Sequence, residues 1–509
     1  MTTTVFVRRF FTDYARNPVN LLLLVLVPVV FVVVVAGSMA NAARLLGGSS
    51  ATSVGVQTAT AGWAAAFLAG IAMYFQTAAT RDADRRLVIA GLATRRLVLV
   101  RLLTGLTLAT FASAAALVAL EIRSGVDHPA RVIIGTVMFA VIYTAIGATV
   151  GALTRNPVNG TVIVLFIWIL DVFFGPAMGS ADRIPTRALP THFVTLWMLD
   201  LPGSHTSELD NLGWALAWTL AAIVAAWAIV VTRTRTARSH ARPAQGHARR
   251  HLPSDVHPTQ LGAAFAATWR DARRNPTQWV LFVLVPVVFI LGAYAVTPNK
   301  PITVVIDDHG RRSVQAFAMP LVHGATMAPI AIASLAALVG LFGVLDSRNG
   351  DRRAALAGLK PNALLSARLG VLAVSALTAT AVALAATALV FHATQWPTYA
   401  AANLLLALTY GLIGALLAPI FGRVGGVFVA FLLPFLDLGV VQSPMLHPTP
   451  TALSKLLPGY GGSRVLLDGA LTRGFDETLP LLIGLAWLIG LSAAVAVTYR
   501  HAVRPATAP

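Results

Sequence analysis

Arg16-Asn17-Pro18, a spacer of mostly apolar residues, then Val27-Pro28-Val29-Val30-Phe31: the string returns as Arg274-Asn275-Pro276, an equal spacer, then Val285-Pro286-Val287-Val288-Phe289. Apolar strings match by chance in apolar chains. A basic-Asn-Pro lead-in at a fixed distance from an identical five-residue core does not. The chain therefore reads as a duplication.

The repeat extends well beyond this motif. Arg81, Asp84, Arg85, Arg86, Gly91-Leu92 and Arg101 recur in order and spacing as Arg348, Asp351, Arg352, Arg353, Gly358-Leu359 and Arg368. Tyr143 and Gly147 correspond to Tyr410 and Gly414, Asp171 to Asp437, and Asp200 to Asp468.

The 509 residues are 57% hydrophobic and only 11% charged, about half the charge of an ordinary soluble domain. Apolar runs of about 20 residues, the length a helix needs to cross a bilayer, recur from end to end. These place spans near 19–40, 57–79, 97–121, 132–153, 158–176 and 211–231 in the first half. In the second they fall near 277–296, 325–345, 364–392, 398–420, 424–442 and 478–499. The expected fold is an all-α polytopic membrane protein with twelve transmembrane helices. It consists of two parallel, pseudo-symmetric six-helix halves, because an even number of spans keeps both copies in one orientation.

The expected domains are a first half over 1–231, a basic cytoplasmic linker over 232–259 and a second half over 260–509. Phe6, Phe10 and Tyr14 share one face of a short helix over 4–15, and Phe265 to Arg274 repeats it. Such helices lie along the inner membrane surface. The outer stretch 177–210, broken by Pro185, Pro190 and Pro202, is too interrupted to cross. The outer loop over 298–324 contains a strand-like piece, Ile302 to Asp308.

The net charge of +18 does not point to nucleic acid. Most of the 38 Lys and Arg fall on the side of the membrane that holds the termini. By the positive-inside rule that side is the cytoplasm of a bacterial inner membrane, with both termini in it. The first span has no cleavage site before it and is expected to stay in the mature protein. With no cysteine, disulfides and thiolate metal sites are excluded.

No phosphate-cradling Gly-x-x-x-x-Gly-Lys-Ser/Thr occurs; the lysines are Lys300, Lys360 and Lys455, none in that context. No His-Glu-x-x-His and no nucleophile elbow occurs either. The chain is expected to have no catalytic site, no metal site and no bound cofactor of its own, so any motor lies elsewhere.

Two features remain for function. The loops 80–96 and 346–362 each carry the repeated Arg/Asp/Arg-Arg pattern, and serve either as positive-inside anchors or as docking elements for a cytoplasmic partner. Asp171 and Asp437 lie inside apolar spans, where a carboxylate is costly and usually faces a cavity or a partner. They either face a substrate pathway or bond a neighbouring helix or the outer segment; the second reading is the simpler. Trp63, Phe67, Tyr74, Tyr143, Trp168 and Tyr410 are the aromatic candidates for the same pathway, although aromatic residues in spans more often face lipid or pack against neighbours.

In each half the order is a surface helix, Arg-Asn-Pro, a first span with a central Pro, a charged loop, and an outer Leu-Pro segment (Leu189-Pro190, Leu457-Pro458) before the last span. The second charged loop ends in Gly358-Leu-Lys-Pro361. This resembles the type-2 ATP-binding-cassette (ABC) exporter permeases. The tandem fusion is similar to actinobacterial permeases of the tetronasin type, implicated in antibiotic and multidrug efflux.

The resemblance implies that Arg81, Asp84, Arg85, Arg86, Arg348, Asp351, Arg352 and Arg353 couple the chain to an ATPase. Two copies of a separate nucleotide-binding subunit, carrying ATP and Mg, would drive a small hydrophobic substrate out through the lipid bilayer. Two alternatives stand: a proton-coupled secondary transporter of the major-facilitator kind, whose loop after the second span resembles Gly343 to Arg353, and an ABC exporter of a lipid or glycolipid.

Overall fold

The computed structural model describes residues 18–46, 53–178, 184–203, 209–236, 259–308 and 311–503. The expected surface helix over 4–15 and most of the expected linker lie outside them. The chain divides into two compact units, Met1–Gln245 and Gly246–Pro509. Eleven helices among the described residues are long and apolar enough to cross a membrane. The chain is a multi-pass membrane protein whose apolar segments are helical.

In the first unit α1 (Pro18–Val30) carries Pro28 inside the helix. Proline has no N–H to donate and its ring crowds the preceding turn. Just past it the helix widens to a π turn (Phe31–Val35), then resumes as α2 (Ala36–Leu45). A wider turn frees backbone carbonyls, and Arg123 donates to Val33 O there. The equivalent Pro286 sits in α10 with no such turn.

α3 (Ser53–Ile89) is a single 37-residue helix, with every residue of its most apolar window buried. α4 (Thr94–Ser124), α5 (Pro129–Leu153) and α6 (Pro157–Phe174) follow. Asn156 caps α6, its side chain accepting from Val158 N at 2.9 Å, and Pro157 occupies the first helical position, where no N–H is needed. The stretch after α6 holds two short 3-10 turns and α7 (His192–Met198), and α8 (Asn211–Thr236) follows.

The second unit opens with the amphipathic α9 (Gln260–Arg273), over the stretch expected as a surface helix. Thr259 caps it and Phe265 stacks on Trp269. Then come α10 (Pro276–Val296) and a hairpin of β1 (Pro301–Asp308) and β2 (Arg311–Ala318) in antiparallel register, Ile302 opposite Phe317 and Ile306 opposite Ser313. Val304 and Ile306 alternate onto one face and bury against Val322. Arg464 donates to Val305 O at 3.1 Å and pairs with Glu477, which ties the hairpin to the helix Gly459–Leu471.

α11 (Met319–Leu345), α12 (Arg348–Leu356), α13 (Pro361–Ala388), α14 (Trp396–Pro434), α15 (Gly459–Leu471) and α16 (Thr478–Val503) complete the chain. The segments expected separately at 398–420 and 424–442 form one 46-residue run, Trp396–Val441. At 1.5 Å per residue that run is about twice a hydrocarbon core. It is broken at Gly422, whose φ of 64° and ψ of −156° are non-helical and suit glycine alone. Past Pro434 the run ends in a π turn (Phe435–Val441).

Glycine sets the tightest helix contact in both units. A Cβ at Gly147 of α5 would strike Gly70 O of α3, and one at Gly414 of α14 would strike Ala337 O of α11. The second and fourth helices of each half therefore pack backbone against backbone, the use small residues have in membranes.

Candidate functional site

The segment after each second helix is built from matched parts. In both, the helix ends on glycine at φ 97°, Gly91 and Gly358. Leu92 N bonds Leu87 O and Gly91 N bonds Val88 O; Leu359 N bonds Ala354 O and Gly358 N bonds Ala355 O. This is the paired closure that satisfies the last carbonyls of a helix. It explains the repeated Gly-Leu: only glycine takes this φ without strain. Pro361 then restarts the chain at the first position of α13.

An acid-arginine clamp holds each segment to the third span of its half. Asp84 pairs with Arg101 and Asp351 with Arg368, both at 2.8 Å. Asp351 also accepts from Tyr499 OH at 2.7 Å. Of the predicted coupling residues, Asp84 and Asp351 are thus half-buried or buried and committed to their own unit.

Arg81 is committed too, since its guanidinium donates to Gly151 O and Thr154 O at the end of α5. A cation there offsets the negative end of the helix dipole and caps orphan carbonyls. Arg85 makes only a 3.7 Å contact with Asp82 on its own helix. Arg352 Nε donates to Ala502 O at 2.9 Å and Arg353 Nε to Asn349 O at 3.2 Å. Arg86, Arg348, Arg352 and Arg353 are exposed.

The two segments differ in one respect. Residues 81–89 continue α3 without a break, whereas α11 stops at Leu345 and α12 begins afresh at Arg348. Asp346 sits in the gap, 2.7 Å from Arg423 beyond the Gly422 break. Burial pushes its carboxyl above the usual range, and Arg423 draws it part of the way back.

The pathway candidates pair with one another inside each unit. Asp171 Oδ2 accepts from Tyr143 OH at 3.0 Å and Thr191 OH at 2.7 Å, and Oδ1 from Thr191 N at 3.3 Å. Asp437 Oδ2 accepts from Tyr410 OH at 2.5 Å and Gly459 N at 2.8 Å, and Oδ1 from Gln442 at 3.1 Å. Both carboxylates are buried. Each is a bolt through three elements: the fourth helix, the fifth, and the start of the short helix α7 or of α15, whose N-terminus favours negative charge. Asp437 also lies in the π turn of its run.

Trp63 and Phe67 are buried in one aromatic cluster. Trp168 donates to Trp63 O at 2.9 Å, and its ring lies 4.9 Å from Phe67 and 5.7 Å from Phe31. Thr191, Gln442 and Gly459, which hold the two carboxylates, are the site residues that sequence reasoning missed. Among the described residues, no three His, Asp or Glu converge as a metal site would require.

No family model matches the chain, and no curated protein matches it.

Proposed function

We propose that the chain is the twelve-span permease of an ATP-driven exporter, recruiting two copies of a separate ATPase and moving hydrophobic or amphipathic small molecules outward. The observation that carries this reading is the duplicated segment after the second helix. Each copy has a glycine-closed end, an acid-arginine clamp to the third span and exposed arginines. A plain positive-inside anchor needs the arginines but not the clamp. A clamp does what force transmission requires, because a push on the segment moves the third span with it.

On this reading both termini and both segments are cytoplasmic, and the outer helices α7 and α15 face out, each bolted to its half by an aspartate. Exposed Arg86, Arg352 and Arg353 meet the motor, while Arg81, Asp84 and Asp351 hold the segment rigid. The membrane is the bacterial inner membrane.

The experiment is purification of the tagged chain from its native membrane in mild detergent, with assay of co-purifying ATPase. The expected result is a P-loop subunit at two copies per chain, released by Arg352→Glu combined with Arg86→Glu. A chain that purifies alone, with drug efflux intact in cells lacking every candidate ATPase partner, removes the proposal.

A further inference from the structure

The helix of each charged segment ends on a large aliphatic side chain left in the open. Ile89 ends α3 at 67% exposure and Leu356 ends α12 at 70%. They hold the same place in the repeat, each followed by Ala-Gly-Leu. The glycine closure makes no use of them. Its bonds run to the carbonyls of Leu87 and Val88 in one half, and of Ala354 and Ala355 in the other.

A single exposed leucine is ordinary on a protein surface. Here the pattern of sizes is inverted. Between the halves the more sheltered positions shrink, from Leu87-Val88 to Ala354-Ala355, while the exposed position stays large. Packing within the chain alone would favour the opposite, because size is felt where atoms are in contact. Arg86 lies one turn before Ile89 on the same side of its helix, and Arg353 stands likewise before Leu356, both exposed. Asp84 and Asp351 are turned to the third span by their clamps. Each segment thus presents an apolar knob beside a cation.

On the topology proposed above, the knob of α3 also stands clear of the bilayer. Arg81 reaches the carbonyls that end α5, which marks the inner end of that span. From Arg81 the helix runs unbroken to Ile89, about 12 Å at 1.5 Å per residue. The headgroup layer is only roughly 5–8 Å deep. Ile89 therefore faces cytoplasm rather than lipid.

We infer that Ile89 and Leu356 are matched anchors for a soluble protein, each filling an apolar socket whose rim carries carboxylates for Arg86 and Arg353. Buried apolar groups dominate the centre of such interfaces, and charges at the rim set orientation and the rate of encounter. The inference rests on the exporter reading, in which the occupant is the ATPase subunit, bound once at each knob. It assigns most of the binding energy to the aliphatic pair instead of to the arginines.

The chain has no cysteine, so Ala90→Cys or Ala357→Cys places a single thiol beside an intact knob. Its rate with a membrane-impermeant maleimide is measured in cytoplasm-out native vesicles, before and after peripheral proteins are washed off with alkaline carbonate. A subunit held at about ten times its Kd predicts a rate on the order of tenfold higher after the wash. Adding Ile89→Ala, or Leu356→Ala at the other site, removes the anchor and weakens binding roughly tenfold, which cuts the ratio to about two. Ile89→Leu should preserve it. A ratio near one in the parent, with the thiol fast or slow throughout, overturns the inference, as does a ratio that survives the alanine substitution. An ATPase that binds without shielding these thiols removes the inference and leaves the exporter reading standing. Knob-dependent shielding by a soluble protein that is no ATPase does the reverse.

Discussion

Asp437→Asn, set between Tyr410→Phe and Asp437→Ala, tests whether the buried aspartate is a bolt or a titrating site. The carboxylate accepts from Tyr410 OH, Gly459 N and Gln442 Nε2, and Gln442 Nε2 also donates to Ser454 O at 2.8 Å. Tyr410→Phe removes one interhelical bond, which in membrane proteins is worth about 0.6 kcal/mol and at most about 1.7. Asp437→Asn keeps one acceptor oxygen but turns its NH₂ toward a donor. If Gln442 flips to accept, Ser454 O loses its bond, so the cost is again about one bond. Asp437→Ala leaves three donors facing a void, at roughly 1–3 kcal/mol for each one buried without a partner, so about 3 kcal/mol or more. A unit of this size shifts its midpoint by about 2–4 °C per kcal/mol. The expected thermal midpoints in detergent fall by about 2–6 °C for Tyr410→Phe and Asp437→Asn, and by at least about 6 °C for Asp437→Ala. The matched series at Tyr143 and Asp171 should follow the same order. An Asp437→Asn chain with an unchanged midpoint but lost or pH-insensitive transport would refute the bolt and make the carboxylate a proton site.

The remaining predictions follow from other contacts. Gly147→Leu or Gly414→Leu must push two backbones apart and should cost at least the roughly 1–3 kcal/mol of overpacking, read as a lower midpoint, whereas Gly343→Ala, with nothing within 4 Å of its Cβ, should raise the midpoint by the up to about 1 kcal/mol that alanine gains over glycine inside a helix. Arg368→Gln should destabilise more than Arg101→Gln, about 3 kcal/mol against about 1, because the side chain of Asp351 is 3% exposed and that of Asp84 15%; equal midpoints would contradict this. Burial raises the Asp468 carboxyl on α15, with hydrogen bonds from Thr472 and Asp476 opposing the shift. A raised folded-state value means its share of stability is present in acid and is lost as pH climbs through that value. Lowering pH from neutral should therefore raise the wild-type midpoint relative to Asp468→Asn, and parallel pH curves would contradict the assignment.

Much of the fold could be read from the sequence because membranes leave few options. An apolar run long enough to cross must satisfy its backbone hydrogen bonds within itself, and the runs read as spans are helices. What sequence could not show were the long-range partners. Tyr143 and Asp171 are 28 residues apart and Tyr410 and Asp437 27, too far along the chain for local pattern to mark them as pairs. Arg81 read as a docking charge because the α5 carbonyls it caps lie in another span. The continuity of α3 through Arg81 follows from the absence of any Gly or Pro between Tyr74 and Ala90, whereas Gly343 and Ser347 precede the break in the second half. β2 was missed because Arg311 to Ala318 is too polar to alternate clearly; its pairing with β1 makes it a strand.

The most direct measurement of the exporter reading is transport into inside-out membrane vesicles of a strain overexpressing the chain with its co-purifying ATPase, using an apolar fluorescent dye. The account predicts accumulation that requires ATP, persists when an uncoupler collapses the proton gradient, and stops in a chain carrying both Arg86→Glu and Arg352→Glu. Accumulation that needs no ATP, collapses with the uncoupler and fails in Asp171→Asn would contradict it and identify a proton-coupled transporter.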